Sequence, residues 1–170
     1  MSDTAAGQQH DSGAEQGASW LGVSAGGTDY LLALTQSGEI HPWHSARRLP
    51  FTKPWFLGVV NLRGALCGVA DLAGVVGAAP PADALEAPPD LQRWLVALNP
   101  ALGLNCALRV DALAGLKSDA QFVRRESSGP QSLEFFGPIL VADDDRRWQV
   151  IDLERLSALP GFLSIAAEQG

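Results

Sequence analysis

Short apolar stretches separated by turn-forming residues run along most of this chain, and they constrain its fold more than any other feature. One pair of stretches flanks Gly26-Gly27-Thr28-Asp29 and another pair lies on either side of Gly64, as in tight β-hairpins. Asn99-Pro100 and the polar run Asp143-Asp144-Asp145-Arg146 mark further turns. Many short strands at near-regular spacing favour barrels or sandwiches. The predicted strands are Trp20–Ala25, Tyr30–Thr35, Glu39–His44, Leu57–Arg63, Ala65–Asp71, Arg93–Leu98, Cys106–Asp111, Ile139–Ala142 and Trp148–Leu153.

Two parts of the chain carry a similar pattern of four residues. Val69-Ala70-Asp71-Leu72 and Val150-Ile151-Asp152-Leu153 each end a predicted strand, and each aspartate is placed to cap a short helix that follows it. We predict these helices over 71–76 and 153–159. A Pro-rich stretch, 78–90, lies between the two parts and is typical of a surface loop. The pattern predicts an all-β fold with short helices, built from two small β subdomains.

The ends of the chain differ in composition from its middle. Residues 1–18 contain no aromatic residue and no Lys or Arg, so they cannot bury enough apolar surface to offset the entropy of ordering. We therefore predict a disordered N-terminal tail over 1–18, a folded domain over 19–160 and a C-terminal tail over 161–170.

The charge balance excludes several classes of function. A formal net charge of −7 repels phosphate backbones, and Arg47-Arg48 is only a modest basic pair, so a nucleic-acid-binding barrel is disfavoured. No run of apolar residues is long enough to span a membrane, and the first 17 residues lack the pattern of a secretory signal. We expect a cytoplasmic protein that does not insert into the membrane.

One string resembles an enzyme motif. Gly22-Val23-Ser24-Ala25-Gly26 fits the G-x-S-x-G nucleophile elbow, which requires a helix after the serine and a histidine late in the chain. A Gly-Gly turn follows Ser24, and the histidines downstream, His41 and His44, come soon after it. We expect an ordinary serine in a strand, and a small hydrolase that uses Ser24 is the alternative from another class.

Other reactive side chains indicate no cofactor or metal. His41 and His44 are three apart in a predicted strand, where they point to opposite faces. The run 143–145 lacks the glycine and the distant glutamate of a calcium loop. Cys67 and Cys106 lie in apolar surroundings and are expected to be reduced thiols in the core, with a disulfide or redox pair as the alternative.

The segment 54–77 points most clearly to a function. It is an apolar strand, a tight turn and a second apolar strand, in which Asn61 and Arg63 are polar and share one face. We expect Val60, Leu62 and Leu66 to face the core. An exposed arginine beside a tight turn is either an interface anchor, since Arg is enriched at binding hot spots, or a residue that stabilises its own turn.

This segment resembles the hallmark of the CheW-like family of chemotaxis adaptors, an apolar lead-in followed by G-[IV]-[IV]-N-[LV]-R-G and then P-V-x-D-L. The run Gly58-Val59-Val60-Asn61-Leu62-Arg63-Gly64 matches throughout, and Val69, Asp71 and Leu72 match the end. Glu39 lies in a strand similar to the family's V-x-E-V strand. Residues 108–113 and 139–156 are similar to strands of its second half, so the resemblance covers about 18–157.

The resemblance implies two five-stranded, SH3-like barrels with a core between them, and no catalysis. It implies that the protein binds the regulatory domain of a CheA-like histidine kinase and the cytoplasmic tip of a methyl-accepting receptor. The partner-binding residues expected from it are Arg63, Glu39 and Asn61. It further implies a monomer that joins rings only with the kinase.

Two departures from the family pattern stand out. Gly68 occupies the usual position of a proline, and residues 99–105 replace an acidic turn. With the Trp-rich strands and the Ala-rich loop, Gly68 makes the chain most similar to the PilI-type adaptors of type IV pilus (twitching) systems. An adaptor of a flagellar or another chemosensory pathway is the alternative.

Overall fold

The computed structural model describes residues 18–78 and 92–166. Nearly all of the predicted N-terminal tail and of the Pro-rich loop lies outside these ranges. Within them the fold is mostly β, as predicted. Its strands are β1 (Ala18–Ala25), β2 (Thr28–Ala33), β3 (Ser37–Pro42), β4 (Phe56–Leu62), β5 (Ala65–Asp71), β6 (Trp94–Leu98), β7 (Cys106–Val110), β8 (Ala112–Ser118), β9 (Phe122–Glu126), β10 (Phe136–Ala142) and β11 (Arg147–Ile151).

Helical segments are short. Three α-helices span Leu72–Val75, Leu153–Ala158 and Pro160–Leu163, and two 3₁₀ turns span Pro100–Leu102 and Asp119–Gln121. No helix in the described part of the chain is long and apolar enough to cross a bilayer.

The strands form two sheets. One has six strands in the order β8-β1-β2-β11-β10-β9, and the other has five in the order β3-β6-β7-β5-β4. The prediction of two small β units is therefore confirmed, although the first sheet has one strand more than expected. β8 and β9 were not among the predicted strands. β8 is rich in small residues, and β9 is an edge strand with three charged residues among its five, so neither shows a clear alternation of apolar and polar residues.

The apolar core has three parts. A cluster inside the five-stranded unit contains Leu57, Cys67, Val69, Leu95 and Ala107. A cluster inside the six-stranded unit contains Leu31, Leu140, Trp148 and Val150. The largest cluster draws on both sheets and on the helices that follow β5 and β11. Two barrels thus hold a common core between them, which fixes their relative position.

Residues 161–166, which were predicted to belong to a C-terminal tail over 161–170, pack on the domain, and 167–170 lie outside the described residues. Phe162 is buried, and its ring stacks on Trp55 at 5.3 Å between centroids. The Lys53 N–H donates to the Ile165 carbonyl at 2.7 Å. Phe162 explains this docking, because the short helix Pro160–Leu163 places its ring on Trp55.

Both cysteines are buried and free. Cys67 packs inside the five-stranded barrel, whereas Cys106 packs in the common core. Burial raises the pKa of both thiols, to about 12 for Cys106, where nearby Cys67 adds to the effect. Both groups are therefore protonated thiols at neutral pH.

We predict that neither thiol of the native chain reacts with Ellman's reagent at neutral pH, because the thiolate is the reactive form and burial disfavours it. In guanidinium both thiols should react at once. Rapid labelling of the folded protein, measured by absorbance, would contradict this prediction.

Candidate partner-binding site

The β4–β5 hairpin displays two of the predicted site residues. Leu62 pairs with Ala65, so Arg63 and Gly64 form a two-residue turn with φ of 51° and 83°. Positive φ at both positions is typical of a type I′ turn, which favours Asn-Gly and disfavours a long side chain at the first position. Asn61 stabilises this turn, because its Oδ1 accepts the Gly64 N–H at 2.8 Å. Asn61 therefore has a structural role, which is to stabilise the turn that carries Arg63.

The structure brings Arg63 and Glu39 together. Arg63 Nε lies 2.9 Å from Glu39 Oε2, although Glu39 belongs to β3 and the two strands lie at opposite ends of the sheet order. The pair therefore bridges the edges of the five-stranded sheet. The two side chains are 77% and 51% exposed. An exposed pair contributes only about 0–1 kcal/mol to stability, so it is not needed to hold the fold.

His41 is a third member of this group that the sequence analysis missed. It was considered only as a metal ligand, yet its Nε2 lies 3.2 Å from the same Glu39 oxygen. The signal was present in the sequence, because residues two apart in a strand share a face. No group of three or more metal-ligating side chains occurs in the described residues, and His44 is exposed.

Leu66 extends this surface, and its predicted place in the core is wrong. It is 69% exposed and lies opposite Asn61 in the hairpin register. Cross-strand partners point to the same face, so Leu66 follows Asn61 outward, while Leu57, Cys67 and Val69 fill the barrel. We call Glu39, His41, Asn61, Arg63 and Leu66 the hairpin surface.

The first glycine of the hallmark segment permits a close backbone approach. Gly58 has φ of 131°, and a Cβ there would lie 2.7 Å from the Arg47 carbonyl carbon and closer still to its oxygen. The Arg47 N–H donates to the Val59 carbonyl at 2.8 Å, and the Val59 N–H donates to the Arg47 carbonyl at 2.9 Å. Gly58 therefore lets the segment before β4 lie along the outer edge of that strand.

The two departures from the family pattern contact each other. The Gly68 N–H donates to the Asn105 carbonyl at 3.1 Å, and the Asn105 side chain donates to the Leu66 carbonyl. A proline at position 68 has no N–H and would lose the first bond. Gly68 and the changed 99–105 turn thus form one local arrangement beside the hairpin.

The two matching aspartates have different roles. Asp152 caps the Leu153–Ala158 helix, since its Oδ1 accepts the N–H groups of Glu154 and Arg155. Asp71 makes no such cap and instead forms a buried ion pair with Arg109 of β7, at 3.2 Å. Desolvation raises the pKa of Asp71, and the Arg109 guanidinium opposes that rise. Asp71 therefore serves chiefly as the partner of Arg109, and the Gly74 N–H of the helix that it was predicted to cap only helps to lower its pKa.

Ser24 lies inside β1, and its Oγ is 3.3 Å from Asp29 Oδ1. The strand runs into a hairpin turn instead of the helix that a nucleophile elbow requires. The only histidines in the described residues, His41 and His44, lie in β3 and just after it, and β3 belongs to the other sheet. The geometry gives the hydrolase alternative no support. The run 143–145 is the polar hairpin tip that was predicted, between β10 and β11.

Two small barrels that share a core, with an exposed charged hairpin on one of them, define a two-barrel β module. A family model described as CheW-like domain matches residues 19–160, and the chain belongs to this family of non-enzymatic adaptors. Chemotaxis protein CheW of Bacillus subtilis is 39% identical over 46 residues, which is 27% of this chain and 30% of that protein. The match thus spans under a third of the relative's length.

A solved structure has the same fold. Scaffolding protein TtCheW from Thermoanaerobacter tengcongensis superposes with a TM-score of 0.63 at 20% identity, covering 79% of this chain and 88% of the other. This likeness confirms the two-barrel architecture that the hallmark segment implied.

Proposed function

We propose that the chain is an adaptor that couples the cytoplasmic tip of a methyl-accepting receptor to the regulatory domain of a CheA-like histidine kinase. It works in the bacterial cytoplasm, at the inner face of the membrane through receptor arrays. It is a monomer alone and joins rings with the kinase. The pathway that we favour controls type IV pilus twitching motility, and a flagellar or other chemosensory pathway is the alternative.

The observation that supports this proposal best is the hairpin surface. The Arg63–Glu39 pair is exposed, adds little to stability and lies beside the exposed Leu66. Arg is enriched at hot spots, and an apolar neighbour lets a partner exclude water from the charged contact. A type I′ turn would accept asparagine at position 63 with less strain, so the long arginine has no conformational advantage there. These features support Arg63 and Glu39 as partner-binding residues, with Asn61 as the residue that holds the turn.

We predict that Arg63→Asn weakens binding to the kinase regulatory domain or to the receptor tip by about 1–3 kcal/mol. Asparagine tolerates positive φ, so this variant removes the guanidinium and keeps the turn. Glu39→Gln should weaken the binding of the same partner. Isothermal titration with both purified partners measures the effect, and Arg155→Ala, at an exposed arginine on the Leu153–Ala158 helix, is the matched control.

Wild-type affinity of Arg63→Asn for both partners would remove the hairpin surface from the interface. Failure of the parent chain to bind either partner would overturn the adaptor proposal itself. A deletion strain separates the pathways, since loss of surface twitching with normal swimming is expected for the pilus branch.

A further inference from the structure

A second exposed surface lies on the segment between β3 and β4. It consists of Arg47, Arg48, Leu49, Pro50 and Phe51, which we call the Phe51 tip. Phe51 is 77% exposed and Leu49 is 38% exposed, so an aromatic and an aliphatic side chain project into solvent. Single exposed apolar residues are common, but here two of them follow a pair of arginines on one short segment.

The backbone holds this tip in place at both ends. On one side Arg47 pairs with Val59 of β4. On the other side Thr52 bridges Ala166, the Lys53 N–H donates to the Ile165 carbonyl at 2.7 Å, and Lys53 Nζ donates to Gly161. Because both ends are fixed, the exposure of Phe51 belongs to the fold and does not come from a loose loop.

Phe51 also adopts a strained backbone conformation, with φ of 58°. Bulky residues rarely occupy this left-handed region, which asparagine and glycine adopt readily. No aromatic contact of the Phe51 ring is found among the described residues, so ring stacking does not offset the strain. A strained residue whose side chain points to solvent indicates a role outside the folding of the chain.

The charge around the tip points to the partner. The chain has no Asp or Glu between Glu39 and Asp71, and it has four Lys or Arg there, although the whole protein has a net charge of −7. Neither Arg47 nor Arg48 forms an ion pair with any residue in the ranges 18–78 and 92–166. Three cations near the tip are fewer than membrane-binding basic clusters carry, and the overall negative charge repels anionic lipid.

We propose that the Phe51 tip is a second docking surface, which binds an acidic amphipathic segment of another protein. Phe51 and Leu49 pack against the apolar face of that segment, and its carboxylates form ion pairs with Arg47 and Arg48. Val59, which pairs with Arg47 at the start of the tip, is four residues and therefore about 13 Å along β4 from Arg63. The antiparallel segment runs from Arg47 away from the Arg63 turn, so one partner on each surface can bind at the same time.

The first test needs no partner. Phe51→Asn relieves the strain, so its melting temperature should equal or exceed that of the parent chain. A clear fall would show that Phe51 supports the fold, and it would overturn the proposal.

The second test uses random peptides displayed on phage and selected on the full parent chain alone, and the enriched peptides are then measured against each variant. Enriched peptides should combine Asp or Glu with aromatic or aliphatic residues. Their affinity should fall about ten-fold or more in Phe51→Asn and Arg48→Glu, and it should weaken with salt. It should not change in Arg63→Asn or in Leu116→Asn, a control at an exposed leucine of β8.

Three results would overturn the proposal: peptides that bind Phe51→Asn as tightly as the parent, enrichment of basic peptides, or Phe51-dependent binding to vesicles of phosphatidylglycerol in place of peptides. Because the peptides are neither kinase nor receptor, failure here leaves the adaptor proposal standing, and failure of the adaptor proposal leaves this one testable.

Discussion

Asp71→Leu is expected to destabilise the fold by about 3–5 kcal/mol, because it removes a carboxylate that pairs with the buried Arg109 guanidinium at 3.2 Å. Arg109 is 1% exposed and Asp71 is 4% exposed, so water cannot replace the lost partner. The guanidinium carbon also lies 5.5 Å from the centre of the Trp43 ring, a contact that the substitution leaves in place. Urea unfolding followed by tryptophan fluorescence measures the loss.

Two controls separate the ion pair from a general packing defect. Glu39→Gln removes one partner of an exposed pair and should cost about 1 kcal/mol or less. The double variant Asp71→Leu/Arg109→Met removes both buried charges and should recover most of the stability, since apolar replacements of buried pairs are often neutral. A loss below about 1 kcal/mol for Asp71→Leu, or no recovery in the double variant, would contradict this account.

The Asp71–Arg109 ion pair could not be predicted from the sequence. Asp71 and Arg109 are far apart in sequence and meet because β5 and β7 pair in parallel, with Asp71 opposite Arg109 in the register. Local pattern identified Asp71 as a capping residue, and for Asp152 the same reasoning was right because a helix cap depends only on the next residues. Parallel pairing is a long-range property that no local pattern predicts.

The candidate site also has features that the sequence predicts and features that it does not. The tight turn at Gly64 and the exposed Arg63 could be predicted, because turn chemistry acts over four residues. The bridge from Arg63 to Glu39 could not, because it depends on the curvature that brings the two edge strands together. Leu66 was assigned to the wrong face, since a two-residue turn sets the register and apolar character alone does not.

Gly58→Ala is expected to destabilise the fold by about 3 kcal/mol, the combined effect of overpacking and backbone strain. The added methyl group would overlap the Arg47 carbonyl, which is itself held by the Val59 N–H at 2.9 Å. Relief therefore requires the segment before β4 to move away, and that movement breaks both hydrogen bonds between Arg47 and Val59.

Gly64→Ala is the matched control, because Gly64 also has a positive φ, of 83°, but nothing lies within 4 Å of an added Cβ. It should cost only about 1 kcal/mol, the strain of alanine in a left-handed conformation. Hydrogen exchange gives the sharper comparison, since the Arg47 and Val59 amides should lose protection in Gly58→Ala and keep it in Gly64→Ala. Equal losses of stability in both variants would mean that backbone strain alone explains the destabilisation caused by Gly58→Ala, without the overlap with the Arg47 carbonyl. The expected difference would show that Gly58 is needed to position the segment that carries the Phe51 tip along β4.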